Sequence, residues 1–441
     1  MSGTHTDTTE LHRTADTYLI RNHLLTDVVP ASDGPIFERA EGSVIWDTEG
    51  KAYLDFNSGQ MCSALGHNNP RVARAIHHSS TTLTHASSVY YNVPQIKLAK
   101  MLAETLTAPL KRSMFIQSGA DSNEAAVLFA RRHTRCNGIA AFHLSFHGYT
   151  DVTRAISYCA TGPGYGPTLP DLYAIPTPYA YRAANADAEP EWWRPLLTVG
   201  FELLDRQCPG NLAGVIVEPL VSAGGVIEMP PGYLAALQQE VHSRGALLIF
   251  DEAQTGLGKL GTMYAYQQEG VVPDIVTLSK HFGGGIALSV MITSDEIEEK
   301  ALDGGLTFGH SHSADPIACA AGLASLEEII ENDLPHTAQT IGRAWQARMR
   351  DLQTRCEMIG DIRGRGLLQG VELVRDPSTK EPAAEEAAQI FQICLKQGLL
   401  FSVRGPHKNV LRFVPPFTTT EAQLDQASEI LANAIGKAFG N

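Results

Sequence analysis

The feature that most narrows the fold is a rhythm in the middle of the chain, where short apolar runs ending in polar residues alternate with helical patterning. AGVIVEP (213–219) is followed by a predicted helix from Tyr233 to His242, then by ALLIFDEAQ (246–254) and DIVTLSK (274–280). Strand-length runs separated by helix-length segments form βαβ units, so the expectation is an α/β fold with a largely parallel sheet. In such sheets ligands gather at the carboxyl ends of the strands, where loops and helix N-termini converge. Glu218, Asp251 and Lys280 stand at three such ends.

After about residue 325 the pattern changes to long helical stretches, AQTIGRAWQARMRDLQTRC and the EPAAEEAAQIFQICLKQ run, around the short strand candidates LLQGVEL and VLRFVPP. This predicts a smaller α+β domain. Near the start, SVIWDTEGKAYLDFNSG reads as two short strands joined by an EG turn, expected to pack with the C-terminal part. The predicted division is an N-terminal segment (1–66) contributing to the small domain, a large domain (67–322) and a C-terminal small domain (323–441).

A net charge of −14 and a pI near 5.6 argue against nucleic-acid or anionic-membrane surfaces, which need clustered Lys and Arg. A small molecule is the expected partner. The first twenty residues are polar, and no run approaches the ~20 apolar residues that span a bilayer, so a soluble cytoplasmic protein is expected. Seven cysteines (Cys62, Cys136, Cys159, Cys208, Cys319, Cys356, Cys394) are scattered, odd in number and without a CxxC pair, which points to free thiols rather than disulfides or structural zinc.

The chemistry converges on Lys280, which ends the strand DIVTLS and precedes the turn-forming HFGGG. Partial desolvation there would lower its pKa enough for carbonyl chemistry, whereas an arbitrary lysine would simply begin a surface loop. Asp251 closes ALLIFD, where a carboxylate can pair with a protonated pyridine nitrogen; alone it would be read as a helix cap. SGADSNEAA (118–126) leads a turn into an amphipathic helix whose free N–H groups suit a phosphate, although an ordinary capped helix start has the same look. FHGYT (146–150) places an aromatic ring after the strand GIAAFHL, where it can stack on a planar cofactor or fill the core.

Together SGADSNEAA, FHGY, VEPLVSAGG, IFDEAQTGLGKLGTMYA and DIVTLSKHFGGG resemble the class III (ω-type) aminotransferases, which are fold-type I enzymes of pyridoxal 5'-phosphate (PLP). The resemblance runs from about Gly34 to the C-terminus. Within that family DFNSGQMCSALGH (55–67), NLAGVIVEPLVSAGGVIEMPPGYLAAL and DIRGRGLLQGVEL are most similar to the 2,2-dialkylglycine decarboxylase branch. The resemblance implies that Lys280 holds the cofactor as a Schiff base, Asp251 binds the pyridine nitrogen and Gln254 lies near the phenolic oxygen. It further implies phosphate-binding roles for Ser118, Gly119 and Ala120, and places Phe146, His147 and Glu218 around the ring. Ser311 of FGHSHSADP would reach the phosphate of a neighbouring subunit, so a homodimer with shared active sites is implied, with tetramers left open. Arg412 of VLRFVPP is the implied carboxylate anchor, with Gln60, Met61, Tyr149 and Ala223 also facing substrate.

Gln60 bears on the reaction because the bond that breaks must lie perpendicular to the cofactor ring. A neutral amide can orient a departing carboxylate there without stabilising it as strongly as a full positive charge would. Arg412 can bind the in-plane carboxylate as a bidentate fork. The expectation is decarboxylation-coupled transamination of a 2,2-dialkylglycine-like amino acid, with amino transfer to a 2-oxo acid such as pyruvate. The alternatives are a class III aminotransferase that does not decarboxylate and a non-catalytic relative acting as a binding module.

Four positions depart from the decarboxylase pattern: Ala223 replaces a serine, Phe146 a tryptophan, Tyr149 a methionine and Gly309 a tyrosine. These changes remodel the substrate pocket. By the same resemblance Ser88, Ser311 and Asp315 would offer oxygens to an alkali ion, K+ or Na+, although an Asp-Pro turn explains Asp315 equally simply. The pairs His143/His147 and His310/His312 lack the surroundings of a metal site.

Overall fold

The computed structural model describes residues 7–20, 34–160, 169–186 and 188–440; residues 1–6 and 21–33 of the predicted N-terminal segment lie outside them. The central sheet has seven strands: β1 (Arg112–Ile116), β2 (Gly138–Phe142), β3 (Leu172–Ile175), β4 (Leu212–Val217), β5 (Leu247–Asp251), β6 (Ile275–Leu278) and β7 (Ser289–Thr293), in the spatial order β1-β7-β6-β5-β4-β2-β3. Only β7 runs antiparallel to its neighbours. The apolar runs fill this sheet because it is covered on both sides. Leu248 and Phe250 face one hydrophobic cluster while Leu247 and Ile249 face another, as the two-residue period of a strand requires.

The α/β class and the mostly parallel sheet expected from the sequence are what the chain forms. The helix read from the sequence spans Tyr233–His242. The C-terminal part is a five-stranded antiparallel sheet that includes Ile359–Arg365, Leu368–Asp376, Val410–Phe413 and Ser402–Arg404, against which the helices Leu334–Arg355 and Ala384–Gln397 lie, with Glu421–Phe439 packed on those two helices. The N-terminal hairpin, Val44–Asp47 with Ala52–Asp55, joins the C-terminal residues Leu399–Leu400 through a parallel pairing. Trp345 locks the layers together, edge-on to both Phe56 and Phe413 at 5.3 and 5.1 Å.

The division expected between 322 and 323 lies within a helix that continues from one part into the next, Pro316–Glu331, whose apolar residues Cys319, Leu326 and Ile329 are buried along its length. The change of sequence character near 325 falls in the second half of that helix. Among the described residues, no helix is long and apolar enough to cross a membrane.

Candidate active site

A cavity of about 280 Å³ opens at the carboxyl ends of β4, β5 and β6, lined among others by Phe146, Glu218, Asp251, Gln254 and Lys280. Parallel pairing aligns these ends: Asp251 is the last residue of β5 and lies opposite Thr277 of β6, three residues before Lys280. Lys280 itself has φ +59, a left-handed conformation that costs a long side chain energy and that the following Lys280–Gly283 turn imposes. Burial lowers the pKa of its amine.

Asp251 is held by a buried relay. Its Oδ2 accepts from Asn123 Nδ2 and from His147 Nδ1, each at 2.8 Å, while Thr277 Oγ1 donates to Asn123 Oδ1 at 2.7 Å. Oδ1 accepts from the Ala253 N–H at 3.1 Å. Asn123 also donates to the His147 carbonyl, so one amide orients both the carboxylate and the imidazole loop. Asn123 was within the SGADSNEAA motif but carried no sequence signal of this role, because its importance lies in facing β5 from the buried side of its helix.

Glu218 follows β4 with 2% exposure and accepts from the backbone N–H groups of Phe146 and Ser222, both at 3.0 Å. Burial pushes its pKa up to about 7. It therefore fixes two loops, one carrying Phe146 and one carrying Ala223. Phe146 is half-buried at the cavity wall with Tyr149 edge-on at 5.0 Å.

Ser118 caps the Gly119–Thr134 helix through a capping box with Asp121, which occupies its hydroxyl. The N–H groups of Gly119 and Ala120, in the first turn, have no intrahelical acceptor, and both residues line the cavity. Close approach is built in: a Cβ on Gly119 would sit 2.7 Å from Ser279 Oγ, and one on Gly148, with φ +140, 2.5 Å from the Ala120 methyl. Ser279 Oγ and Gln117 Nε2 are buried here without a partner. Neither was singled out in the sequence.

The remaining predicted residues separate. Gln254 lines the cavity and accepts from Arg412 Nη1 at 3.2 Å; Arg412 is 2% exposed and also donates to Ser222 and Ser402 hydroxyls at 3.1 Å. Gln60 is exposed on the Ser58–Met61 turn, its Oε1 accepting from Asn57 Nδ2 at 3.1 Å. Met61, expected at the substrate, is instead a core residue: it packs with Leu220, Val226, Leu260, Leu368 and Val414, and Cys62 forms the cavity wall in its place. Ala223 sits in the loop held by Glu218, and Tyr149 is 52% exposed.

Ser88 and Ser311 are exposed, and both carboxylate oxygens of Asp315 are taken by imidazoles, His85 Nδ1 and His312 Nδ1, each at 2.6 Å. His312 thus meets His85 rather than His310, and His143 Nδ1 accepts from the Thr177 N–H at 2.9 Å. Lys259, also missed, is fully buried with its Nζ unpartnered; burial first, then the Lys280 charge, bring its pKa down to about 7.

A lysine and a relayed carboxylate at adjacent parallel strand ends, beside a helix N-terminus with spare donors, define a PLP-dependent aminotransferase-type enzyme. The chain belongs to the class-III aminotransferase family, whose model matches residues 29–435. It is 37% identical over 404 residues to an uncharacterized aminotransferase of Schizosaccharomyces pombe, covering 91% of this chain and 90% of that one. It is 32% identical over 407 residues to a 5-aminovalerate aminotransferase of Pseudomonas aeruginosa, covering 91% and 93%. The crystal structure of a Bacillus anthracis aminotransferase superposes with a TM-score of 0.91 at 26% identity, covering 98% of both chains.

The family's cofactor is PLP, and the donor set suits it. The orphaned Ser279 and Gln117 atoms and the cradle that a Cβ at Gly119 would fill match a phosphate, and the Asp251 relay matches a protonated ring nitrogen.

Proposed function

We propose that this enzyme transfers an amino group from an amine or amino acid to a 2-oxo acid, without obligatory decarboxylation. The observation that carries the reading is the Lys280 amine placed in one cavity with the Asp251 carboxylate and with Gln254, which Arg412 reaches from the other side.

Bound PLP supplies a carbonyl that condenses with amines and a ring that accepts electrons when a substrate bond breaks. Asp251, oriented by Asn123 and His147, is suited to keep a proton on the ring nitrogen. Lys280, with its amine pKa lowered by burial, is suited to take a proton from the substrate carbon and return it. Gln117, Ser279 and the first amides of the Gly119–Thr134 helix would hold the phosphate, Phe146 would cover one ring face, and Arg412 would bind the substrate carboxylate. The relatives favour amino transfer, and the one named for 5-aminovalerate supports an ω-amino donor.

Assembly of two copies is part of the proposal. Ser311 is exposed in the single chain, as a residue serving a neighbour's site would be. Val89, Tyr90, Tyr91 and Val93 expose a run of large apolar side chains that a second copy would cover.

A decarboxylating version with a 2,2-dialkylglycine donor rests on Gln60, whose carbonyl oxygen Asn57 already engages. Incubating the holoenzyme with pyruvate and either 5-aminovalerate or 2-aminoisobutyrate, and measuring alanine and CO2, separates the two. Alanine without CO2 from the first donor is expected; CO2 equimolar with alanine from the second, and no alanine from the first, would overturn the proposal in favour of decarboxylation.

A further inference from the structure

Strand Ser402–Arg404 pairs antiparallel with Val410–Phe413, placing Ser402 opposite Arg412 and Arg404 opposite Val410. Ser402 Oγ accepts from Arg412 Nε at 3.1 Å, so these two side chains share a face of the sheet. Residues two apart on a strand face the same way, so Arg404 projects on that face too, diagonal to Arg412 at a backbone separation of about 7–8 Å. The next residue is pinned: the Gly405 N–H donates to the Ala223 carbonyl at 3.2 Å, and Gly225 lies so close that a Cβ on it would be 3.4 Å from Gly405 Cα. Arg404 is thereby fixed beside the loop held by Glu218 and within the electrostatic reach of Lys280, Cys159 and Tyr149.

Among the described residues no carboxylate stands at ion-pair distance from Arg404 or Arg412, and Arg412 donates to two hydroxyls and an amide oxygen. Burial first, then Arg404, push the Arg412 pKa well below its ordinary range; burial also lowers that of Arg404. Elsewhere in the same sheet the rule of paired charge holds: Arg363 meets Asp361 at 2.7 Å and Glu372 at 2.8 Å, and Arg182 meets Glu372 at 2.9 Å. A buried guanidinium at Arg412 and a part-buried one at Arg404, neither with a carboxylate at ion-pair distance and with Glu218 acting on Arg412 only at longer range, are an arrangement an anionic ligand completes.

We propose that Arg404 is a second anion anchor, so that the substrate bound through Arg412 carries a second carboxylate and the preferred amino acceptor is a dicarboxylic 2-oxo acid. This rests on the amino-transfer reading. One carboxylate would occupy Arg412 near the reacting carbon and the distal one Arg404, each as a two-pronged contact.

The test compares 2-oxoglutarate with pyruvate as acceptors for one donor, in the holoenzyme and in Arg404→Gln and Arg404→Lys. In the parent, 2-oxoglutarate should be preferred in kcat/KM. Arg404→Gln should lower the 2-oxoglutarate to pyruvate ratio on the order of 30-fold, mostly through KM, the size of a lost charged hydrogen-bonded contact. Arg404→Lys should restore part of it. Calorimetric binding of glutarate and of butyrate reads the anchor without turnover: glutarate should bind more tightly, and Arg404→Gln should erase the difference. If no acceptor is aminated by any donor while Arg404→Gln still abolishes the glutarate preference, the amino-transfer reading fails and the anchor stands. If the parent shows no dicarboxylate preference, or Arg404→Gln and Arg404→Lys weaken both acceptors equally, the anchor is overturned.

Discussion

Arg412 Nη1 lies 3.2 Å from Gln254 Oε1, tying an antiparallel strand of the C-terminal sheet to the loop that leaves the parallel strand carrying Asp251. With the Arg412–Ser222 and Gly405–Ala223 bonds, this contact holds two separately built sheets in register at the cavity. A substrate carboxylate arriving at Arg412 would compete for a guanidinium that now spends its donors on neutral groups.

Replacing Arg412 by Lys should lower kcat/KM for carboxylate-bearing donors about 100-fold, because an ammonium keeps the charge but loses the planar fork and leaves Ser222, Ser402 and Gln254 competing for one nitrogen. Steady-state kinetics with 5-aminovalerate and with an amine that lacks a carboxylate check this. An equal loss for both would place Arg412 in the framework rather than at the substrate.

Removing the Lys280 amine should abolish both the visible absorbance of the bound cofactor and turnover, with kcat falling about 10³-fold or more. Borohydride reduction followed by peptide mapping should mark residue 280 in the parent and leave Lys280→Ala unlabelled. Labelling at Lys259, whose unpartnered amine has a pKa near 7 and lies close enough to feel the Lys280 charge, would instead transfer the role to that buried neighbour.

Glu218 gives the protein a pH signature. Burial raises its carboxyl from 4.5 to about 7, so the folded state binds this proton more tightly than the unfolded chain. Its contribution is complete below 4.5 and is lost as pH rises towards 7, so stability falls across that window by a few kcal/mol at most. Glu252, pushed to about 7 in the same way, adds to the slope. Urea unfolding at intervals between pH 5 and 7 should show a shallower fall in Glu218→Gln than in the parent. An unchanged slope would mean that the Phe146 and Ser222 amides keep the folded carboxylate ionised.

The strand-end residues were legible in the sequence because a parallel sheet places its functional groups by topology alone: once AGVIVEP, ALLIFDEAQ and DIVTLSK are strands, Glu218, Asp251 and Lys280 must converge. Residues whose importance comes from what their neighbours leave unpaired were not legible. Asn123 reads as an ordinary helical asparagine until β5 is packed against it, Ser279 as a strand end, and Arg404 as one more surface cation until its register with Arg412 is known. Met61 was misplaced for a related reason. The Ser58–Met61 turn has positive φ at Gly59 and Met61, and that twist sends Met61 into the core and leaves Cys62 at the cavity.

Ser279 offers the sharpest separation of structural from functional burial. A buried hydroxyl without a partner destabilises the folded chain, so replacing it by the methyl of alanine should leave the cofactor-free protein as stable as the parent or more so, by up to about 1 kcal/mol. If that hydroxyl is kept for a phosphate, the same change should weaken PLP binding on the order of 10-fold and raise the pyridoxal phosphate needed for half-maximal activity. Thermal unfolding of the cofactor-free protein and fluorescence titration with PLP measure the two effects separately. Loss of stability with unchanged cofactor affinity would assign Ser279 to packing against Gly119, where its oxygen fills the space a Cβ would need, and would leave Gln117 and the helix amides to hold the phosphate.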